Sequence, residues 1–220
     1  MKTVASVVEK YLKTKPFLLS SLSEGIINLT SLARIIMPEI EMHLGKDIKQ
    51  GAVVMALKRI SEELDFKINH KLSRVLQNIG EITVRSSLTD YTYEISDTLL
   101  ENQTKLMSEI KTNKNLFYTS SRGVSETNIV VSSEINDMVE SCLKSEKLIS
   151  KNENLSSITV KLPHENVSVP GVYYFIFQSL AWEGIIIDEV ISTSNEFTIV
   201  VNENQIDLAF SVIKDLKKIG

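Results

Sequence analysis

The stretch from Asn166 to Val172 holds residues whose types and spacing suit the binding of a small anion. Pro170 and Gly171 stand at the start of a predicted helix over 171–183. A helix start offers free backbone N–H groups and a partial positive charge, which suit a carboxylate. Gly171 allows close approach to the backbone, and Asn166 can supply an amide. We predict a ligand site of Asn166, Val167, Pro170, Gly171 and Val172; the simpler alternative is that Pro170 only starts a helix.

The other polar residues do not support catalysis. His43, His70 and His164 stand alone, without metal-ligand spacing. The eight glycines are scattered and form no phosphate-binding loop of the Gly-x-Gly-x-x-Gly type. Cys142 lies on a predicted apolar helix face, so we interpret it as a buried, inert thiol. We therefore predict that the protein is not an enzyme and uses no metal and no cofactor.

A second set of candidate contacts lies in the N-terminal third, on a predicted helix-turn-helix. Residues 27–64 have the pattern of a helix, a turn at Gly45–Asp47 and a second helix, and FKINHKL (66–72) predicts a strand. This layout resembles the winged-helix modules of bacterial regulators, in which the second helix enters the major groove of DNA. The contacts would then be four exposed residues that neutralise phosphates and read the groove: Lys49, Gln50, Lys58 and Arg59.

The charge of this region leaves a second interpretation open. Residues 1–72 carry 11 Lys and Arg against 8 Asp and Glu, a net charge of only +3. The second helix, GAVVMALKRI, is also mostly apolar. The alternative is a small helical domain that packs against the rest of the chain, forms a dimer or binds a partner protein.

Composition predicts a globular protein of the cytoplasm. The chain has 220 residues and a net charge of −4. The chain contains no run of 18 apolar residues, so we predict no membrane span. Glu9 and Lys10 interrupt the apolar residues near the N-terminus, which excludes a signal-peptide core. A single cysteine is compatible with a reducing compartment. We expect no membrane partner.

The second half of the chain contains an internal repeat. SETNIVVSSEINDMVESCLK (125–144) aligns without gaps with NEFTIVVNENQIDLAFSVIK (195–214). Hydrophobic periodicity predicts strand, helix, two strands and helix in each copy, the βαββα pattern of a ferredoxin-like unit. Upstream, ITVR (82–85) aligns with ITVK (158–161) if six residues of the first repeat are placed in a loop.

The second repeat resembles an ACT domain, the small-molecule regulatory module of many amino-acid biosynthesis enzymes. The matching features lie in VPGVYYFIFQSLAWEGIIIDEVISTSNEFTIVV (169–201): Pro170-Gly171-Val172, Trp182-Glu183-Gly184-Ile185 and the strand after Glu196. The pair is most similar to the tandem ACT region of aspartate kinases, without the kinase domain. The resemblance implies an amino-acid effector at the 166–172 loop and helix start, and a homodimer. In the first repeat, Ile95-Ser96-Asp97 replaces Pro-Gly.

We therefore predict an α+β protein with three parts. Residues 1–72 form the helical domain, with the winged helix as one interpretation, and residues 73–150 and 151–220 form two ferredoxin-like, ACT-type βαββα units. The predicted function is non-catalytic sensing of a small metabolite, an amino acid by the resemblance. The alternatives are a ligand-responsive DNA-binding regulator and a free-standing regulatory or scaffolding subunit of an enzyme.

Overall fold

The computed structural model describes residues 3–23 and 25–218. These residues divide between Arg74 and Val75 into two compact units. We call them the helical unit and the sheet unit and describe each by itself. Within the described residues, no helix has the length and apolar character needed to cross a membrane.

The helical unit is built from amphipathic helices whose ends follow the predicted caps. The helices are α1 (Val4–Lys13), α2 (Pro16–Ser23), α3 (Leu29–Leu44) and α4 (Gln50–Gln77), the last of which runs past the boundary between the units. Asn28 caps α3 by accepting a hydrogen bond from the Ser31 backbone. Gly45 ends α3 in the left-handed conformation. The buried faces meet in a core of aliphatic side chains, which includes Val8, Leu12, Ile36, Ile40 and Leu57.

The predicted strand at 66–72, and with it the wing of a winged helix, is wrong. These residues lie inside α4, which continues without a break to Gln77. Strand propensity at Phe66 and Ile68 favoured the strand, but no glycine or proline interrupts the chain between Gly51 and Gly80. Helical context therefore overrides a weak local preference for strand.

The sheet unit contains the two predicted βαββα repeats, in the predicted order. The first repeat comprises β1 (Ile82–Glu94), α5 (Leu99–Ile110), β2 (Tyr118–Arg122), β3 (Glu126–Ser132) and α6 (Asn136–Cys142). The second repeat comprises β4 (Leu148–Lys161), α7 (Val172–Trp182), β5 (Ile187–Ser192), β6 (Glu196–Asn202) and α8 (Ile206–Asp215). The α+β class and the twofold βαββα order are therefore confirmed.

The six strands form one antiparallel sheet in which the repeats share their first strands. The strand order is β2-β3-β1-β4-β6-β5. The second half of β1 pairs with β3. Its first four residues, Ile82–Arg85, extend past the end of β3 and pair with β4. In the same way β4 pairs with β6 through Leu155–Lys161 and extends its earlier half along β1. Each repeat thus supplies the strand that closes the other.

The two faces of the sheet are buried by different means. On one face, the first repeat packs α5 and α6 against β1 and β3 in a cluster that includes Tyr91, Leu106 and Val139. On the other face, four side chains from the four central strands form a second cluster, against which Phe117 and Ile191 pack. Those four are Leu88, Val130, Leu155 and Val200.

The structure corrects the predicted alignment of the first strands. Ser87 and Asn154 are the non-glycine residues with positive φ among the described residues, at 59° and 58°. Each precedes a run of four buried residues, and the following leucines, Leu88 and Leu155, pair with equivalent positions of β3 and β6. LTDYTYE (88–94) therefore corresponds to LSSITVK (155–161), and the alignment of 82–85 with 158–161 is wrong. The two alignments differ by nine residues, an odd shift that would move every side chain to the other face of the sheet, so the likeness of ITVR to ITVK is one of residue types and not of position.

Candidate functional site

The start of α7 is open, as a site for a small anion requires. Gly171 is the N-cap residue with φ of 95°, a left-handed conformation that favours glycine, and no side chain caps the helix. A Cβ placed on Gly171 would meet no atom within 4 Å, so the space beside it is free. The first N–H groups of a helix have no partner within it. A carboxylate can therefore reach these groups from the solvent side.

The predicted site residues have three different positions in the structure. Pro170 and Gly171 are exposed at the helix start, whereas Val172 is buried beneath it. Val167 is 74% exposed. Asn166 is buried, and its amide nitrogen donates to the carbonyl oxygens of Pro163 at 2.8 Å and Ser194 at 2.9 Å.

These contacts give Asn166 a structural part in the site. An amide NH₂ group has two hydrogens, and both are used to hold the 164–168 turn against the connection between β5 and β6. Asn166 therefore positions the loop. The open backbone is found at Gly171 and the residues that follow it.

An aromatic cluster that the sequence analysis missed lies directly behind the helix start. The rings of Tyr173 and Phe197 are stacked with centroids 4.9 Å apart, and Phe177 meets Phe197 edge-on at 5.6 Å. The Tyr173 hydroxyl is 2.8 Å from Ser192 Oγ. The cluster fixes the first turn of α7 on the sheet, so the exposed N–H groups are held in place.

The equivalent helix start in the first repeat is closed by a side chain of the protein itself. Glu146, which follows α6, is 9% exposed and lies against the beginning of α5. Its Oε1 atom accepts from Thr98 Oγ1 at 2.8 Å and Asn102 Nδ2 at 2.5 Å, and its Oε2 atom accepts from Ser96 Oγ at 2.5 Å. The Ser96 hydroxyl, together with the Thr98 and Asn102 donors, holds the pKa of Glu146 below its ordinary value.

Sequence reasoning did not find this group of four. Glu146 lies 44 to 50 residues after its partners, so no local motif joins them. The one available signal was that the first helix of this repeat begins at Ile95-Ser96-Asp97 without a Pro-Gly pair, which marked a difference between the repeats.

A cysteine and the histidines were also singled out from the sequence. Within residues 3–23 and 25–218, no three His, Cys, Asp or Glu side chains are arranged to hold a metal ion. Cys142 is half-buried against the α5 and α6 core, and burial raises the pKa of its thiol. The thiol was predicted to be buried, whereas it is only half-buried, and its inertness stays a prediction. His43 is exposed, with Nδ1 placed 2.9 Å from the Glu39 carbonyl oxygen.

The four predicted DNA contacts lie near the start of α4, but acidic groups accompany the basic ones. Lys49 is exposed in the preceding loop, and Gln50 donates to the Thr30 carbonyl oxygen at 3.1 Å. Lys58 and Arg59 are exposed further along the same helix. DNA binding stays a prediction of the sequence.

The acidic neighbours of Lys58 and Arg59 belong to α1 and α4. The Lys58 Nζ atom is 3.8 Å from Glu62 Oε1, and the charge of Arg59 adds to that of Lys13 in lowering the pKa of Glu9. Lys58 and Arg59 also border an open groove of about 580 Å³ between α1 and α4, whose apolar part includes Met55. The local field is mixed rather than uniformly basic.

Comparison with solved structures finds the same fold in the regulatory parts of aspartate kinases. The regulatory subunit of aspartate kinase from Thermus thermophilus, in its ligand-free form, has a TM-score of 0.51 at 10% identity over 63% of this chain and 97% of its own. The aspartokinase alpha and beta subunits give 0.51 at 15% identity, with 64% and 99% covered. Aspartate kinase from Clostridium acetobutylicum gives 0.52 at 15% identity, with 63% and 34% covered.

The likeness is one of fold. No family model matches the sequence, and no curated protein does. The chain spans 34% of the Clostridium enzyme but 97% of the Thermus regulatory subunit, so the match is to a regulatory part without the kinase domain. The resemblance to the tandem ACT region of aspartate kinases is thereby confirmed, and 63% of this chain has the fold of that regulatory region.

Proposed function

We propose that the protein is a non-catalytic regulatory protein that senses an amino acid at the start of α7. The observation that carries the proposal is the uncapped helix start, where Gly171 is left-handed and the space beside it is free. The helix N-terminus would bind the α-carboxylate, and Asn166 Oδ1, in the preceding turn, would accept from the amine. The fold it shares with aspartate kinase regulatory subunits supports a regulatory role.

The first prediction is that one or a few of the twenty amino acids raise the Tm of the full chain in a thermal-shift screen. A ligand that binds only the folded state at 100 times its Kd adds about 2.7 kcal/mol of stability. For a protein of this size that corresponds to a rise of about 5–10 °C. If no amino acid shifts the Tm, an amino-acid sensor is ruled out.

Variants at Pro170 locate the site. Pro170 is exposed and directly precedes the N-cap. Pro170→Glu would place a negative charge beside the bound carboxylate and weaken binding by about fivefold or more. Pro170→Gln has nearly the same size without the charge and serves as the matched control. Equal weakening by both variants would contradict a carboxylate at this helix start.

We further propose that the sensed state passes to a second copy through the edge at β5. β5 is the outer strand of the sheet, and Trp182 and Ile186 beside it are 76% and 72% exposed. The repeat provides an internal comparison, because Trp182 corresponds to Thr112 and Tyr174 to Thr104 in the first repeat. Both positions are thus aromatic in the second repeat and polar in the first.

The second prediction follows from this difference. A two-fold pairing of identical edges would bury the aromatic side chains and the open strand edge together. Trp182→Ala is expected to raise the dimer dissociation constant by about tenfold or more in sedimentation equilibrium. Thr112→Ala, at the equivalent exposed position, should leave it unchanged. A monomeric wild-type protein would instead favour a partner enzyme at this edge.

A further inference from the structure

The cluster around Glu146 is organised as a binding site rather than as an isolated hydrogen bond. Leu99 donates its backbone N–H to Ser96 Oγ at 3.0 Å, so the Ser96 hydroxyl hydrogen is directed to Glu146. Lys105 Nζ lies 3.1 Å from Asn102 Oδ1, which turns the NH₂ end of that amide to the carboxylate. Two of the three donors are therefore held in position by further contacts.

The site has the chemistry that recognises a carboxylate. Three neutral donors reach two oxygen atoms, and Ser145 Oγ is also within 3.2 Å of the Asn102 amide. Burial of a carboxylate is costly unless its lone pairs are satisfied, and the positive end of α5 adds a favourable field. Each condition for holding a carboxylate away from water is met at the first turn of α5.

The second repeat has no carboxylate at this place, and the counterparts of Ser96 and Thr98, which are Asn166 and Ser168, donate to backbone carbonyl oxygens instead. Under the alignment of the helices and later strands, which the pairing of β3 and β6 supports, Asn102 corresponds to Val172 and Glu146 to Leu216. Val172 and Leu216 are both buried. The same two places thus hold an amide and a carboxylate in one repeat, and two aliphatic side chains in the other.

We propose that the first repeat contains a carboxylate-binding site which the chain fills with its own Glu146. The first repeat is therefore closed to external ligands. Together with the proposed function, on which this second statement rests, it leaves one effector site per chain, at α7.

The position of Glu146 also links the carboxylate site to the shared sheet. It lies two residues before β4, and Lys147 links to the end of β1 through an ion pair with Glu94 and through its carbonyl oxygen, which accepts from the Glu94 N–H at 3.0 Å. The first half of β4 closes the first repeat. When the Glu146 carboxylate is bound by its three donors, it therefore fixes the beginning of β4, the strand that joins the repeats.

The test is chemical rescue of Glu146→Ala in the full chain. Removal of the carboxylate leaves three directed donors without an acceptor and a space of carboxylate size. Acetate should fill it, so sodium acetate, compared with sodium chloride at equal ionic strength and pH 7, should raise the Tm of Glu146→Ala by about 2–4 °C in a saturable way. Wild-type protein should show no such rise.

Leu216→Ala is the matched control, since it truncates the corresponding buried side chain of the second repeat. It leaves an apolar cavity with no directed donors, so acetate should not raise its Tm. An acetate response of Glu146→Ala no larger than that of Leu216→Ala overturns the proposal.

Glu146→Gln tests the same site if the alanine variant fails to fold. The lowered pKa means that ionised Glu146 stabilises the fold above its unfolded pKa and that this contribution is lost as pH falls through the folded pKa. Glu146→Gln should therefore lose less stability on acidification than wild type. Equal losses overturn the proposal. The amino-acid screen on wild type tests α7 separately, so a negative screen with positive acetate rescue refutes the effector site alone.

Discussion

Leu155→Ala is expected to lower the free energy of unfolding of the sheet unit by about 2–5 kcal/mol. Leu155 is 1% exposed and packs with Leu88, Val130 and Val200 on the face of the sheet opposite α5 and α6. Truncation of such a side chain loses its transfer free energy and leaves a cavity.

The effect should reach both repeats because β4 belongs to both. Leu155 pairs with Leu88 of the first repeat and with Asn202 of the second, at the point where β4, which runs along β1, also begins to pair with β6. Neither repeat has a complete sheet without the other's first strand. Chemical denaturation followed by circular dichroism should therefore show the sheet unit unfolding in one transition at a lower denaturant midpoint.

Two further variants make the experiment specific. Leu88→Ala, at the corresponding position of β1, should cost about as much as Leu155→Ala. Ile149→Ala, on the same strand but half-exposed, should cost no more than about 1 kcal/mol. A Leu155→Ala variant that unfolds in two separate steps would show that the repeats are independent, contrary to the shared-strand topology.

The shared strands also show how far the sequence could predict the fold. Alternation and helical periodicity predicted the helices and strands of both repeats in order, because each of those segments buries one face against its own repeat. The same signal predicted β1 only to residue 88 and β4 only from residue 157, whereas the strands are 13 and 14 residues long. Among the missing residues of β4, 148–154 pair only with β1 of the other repeat, and such pairing leaves no mark in a local window. The missing residues of β1, 89–94, pair with β3 of their own repeat as well as with β4, so pairing between the repeats does not explain their omission.

The candidate site could be predicted in the second repeat but not in the first. Pro170 and Gly171 are adjacent in sequence, and backbone geometry at a helix start follows from residue type. The closing of α5 by Glu146 depends on a carboxylate brought from beyond α6 by the fold. The left-handed Ser87 is a similar case, since serine seldom marks that conformation.

Asp90 is the residue from which we expect the clearest pH dependence. It is buried in the middle of β1, and its Oδ1 atom accepts from Asn128 Nδ2 at 2.5 Å. Burial raises the pKa of Asp90 to about 6, against the lowering effect of Asn128, and the charges of Glu189 and Asp188 raise it further. In the second repeat the corresponding residue is the neutral Ser157, which is equally buried.

Asp90→Asn is therefore expected to stabilise the protein by about 2 kcal/mol at pH 7. Because the folded pKa of Asp90 lies above its unfolded value, its contribution to wild-type stability is greatest below about pH 4 and is lost as pH rises through about 6. The asparagine can still accept from Asn128 but carries no charge to bury. Urea denaturation at several pH values should show the gap between variant and wild type widening from pH 4 to pH 7.

Asp137→Asn separates burial from charge, since Asp137 is exposed at the start of α6. It removes the same single negative charge, and because nothing shields that side chain from water, the expected change in stability at pH 7 is within about 0.5 kcal/mol. A stability gap for Asp90→Asn that is constant with pH, or that narrows towards pH 7, would mean that the sheet does not raise the pKa of Asp90 and that groups other than Asn128 compensate for its burial.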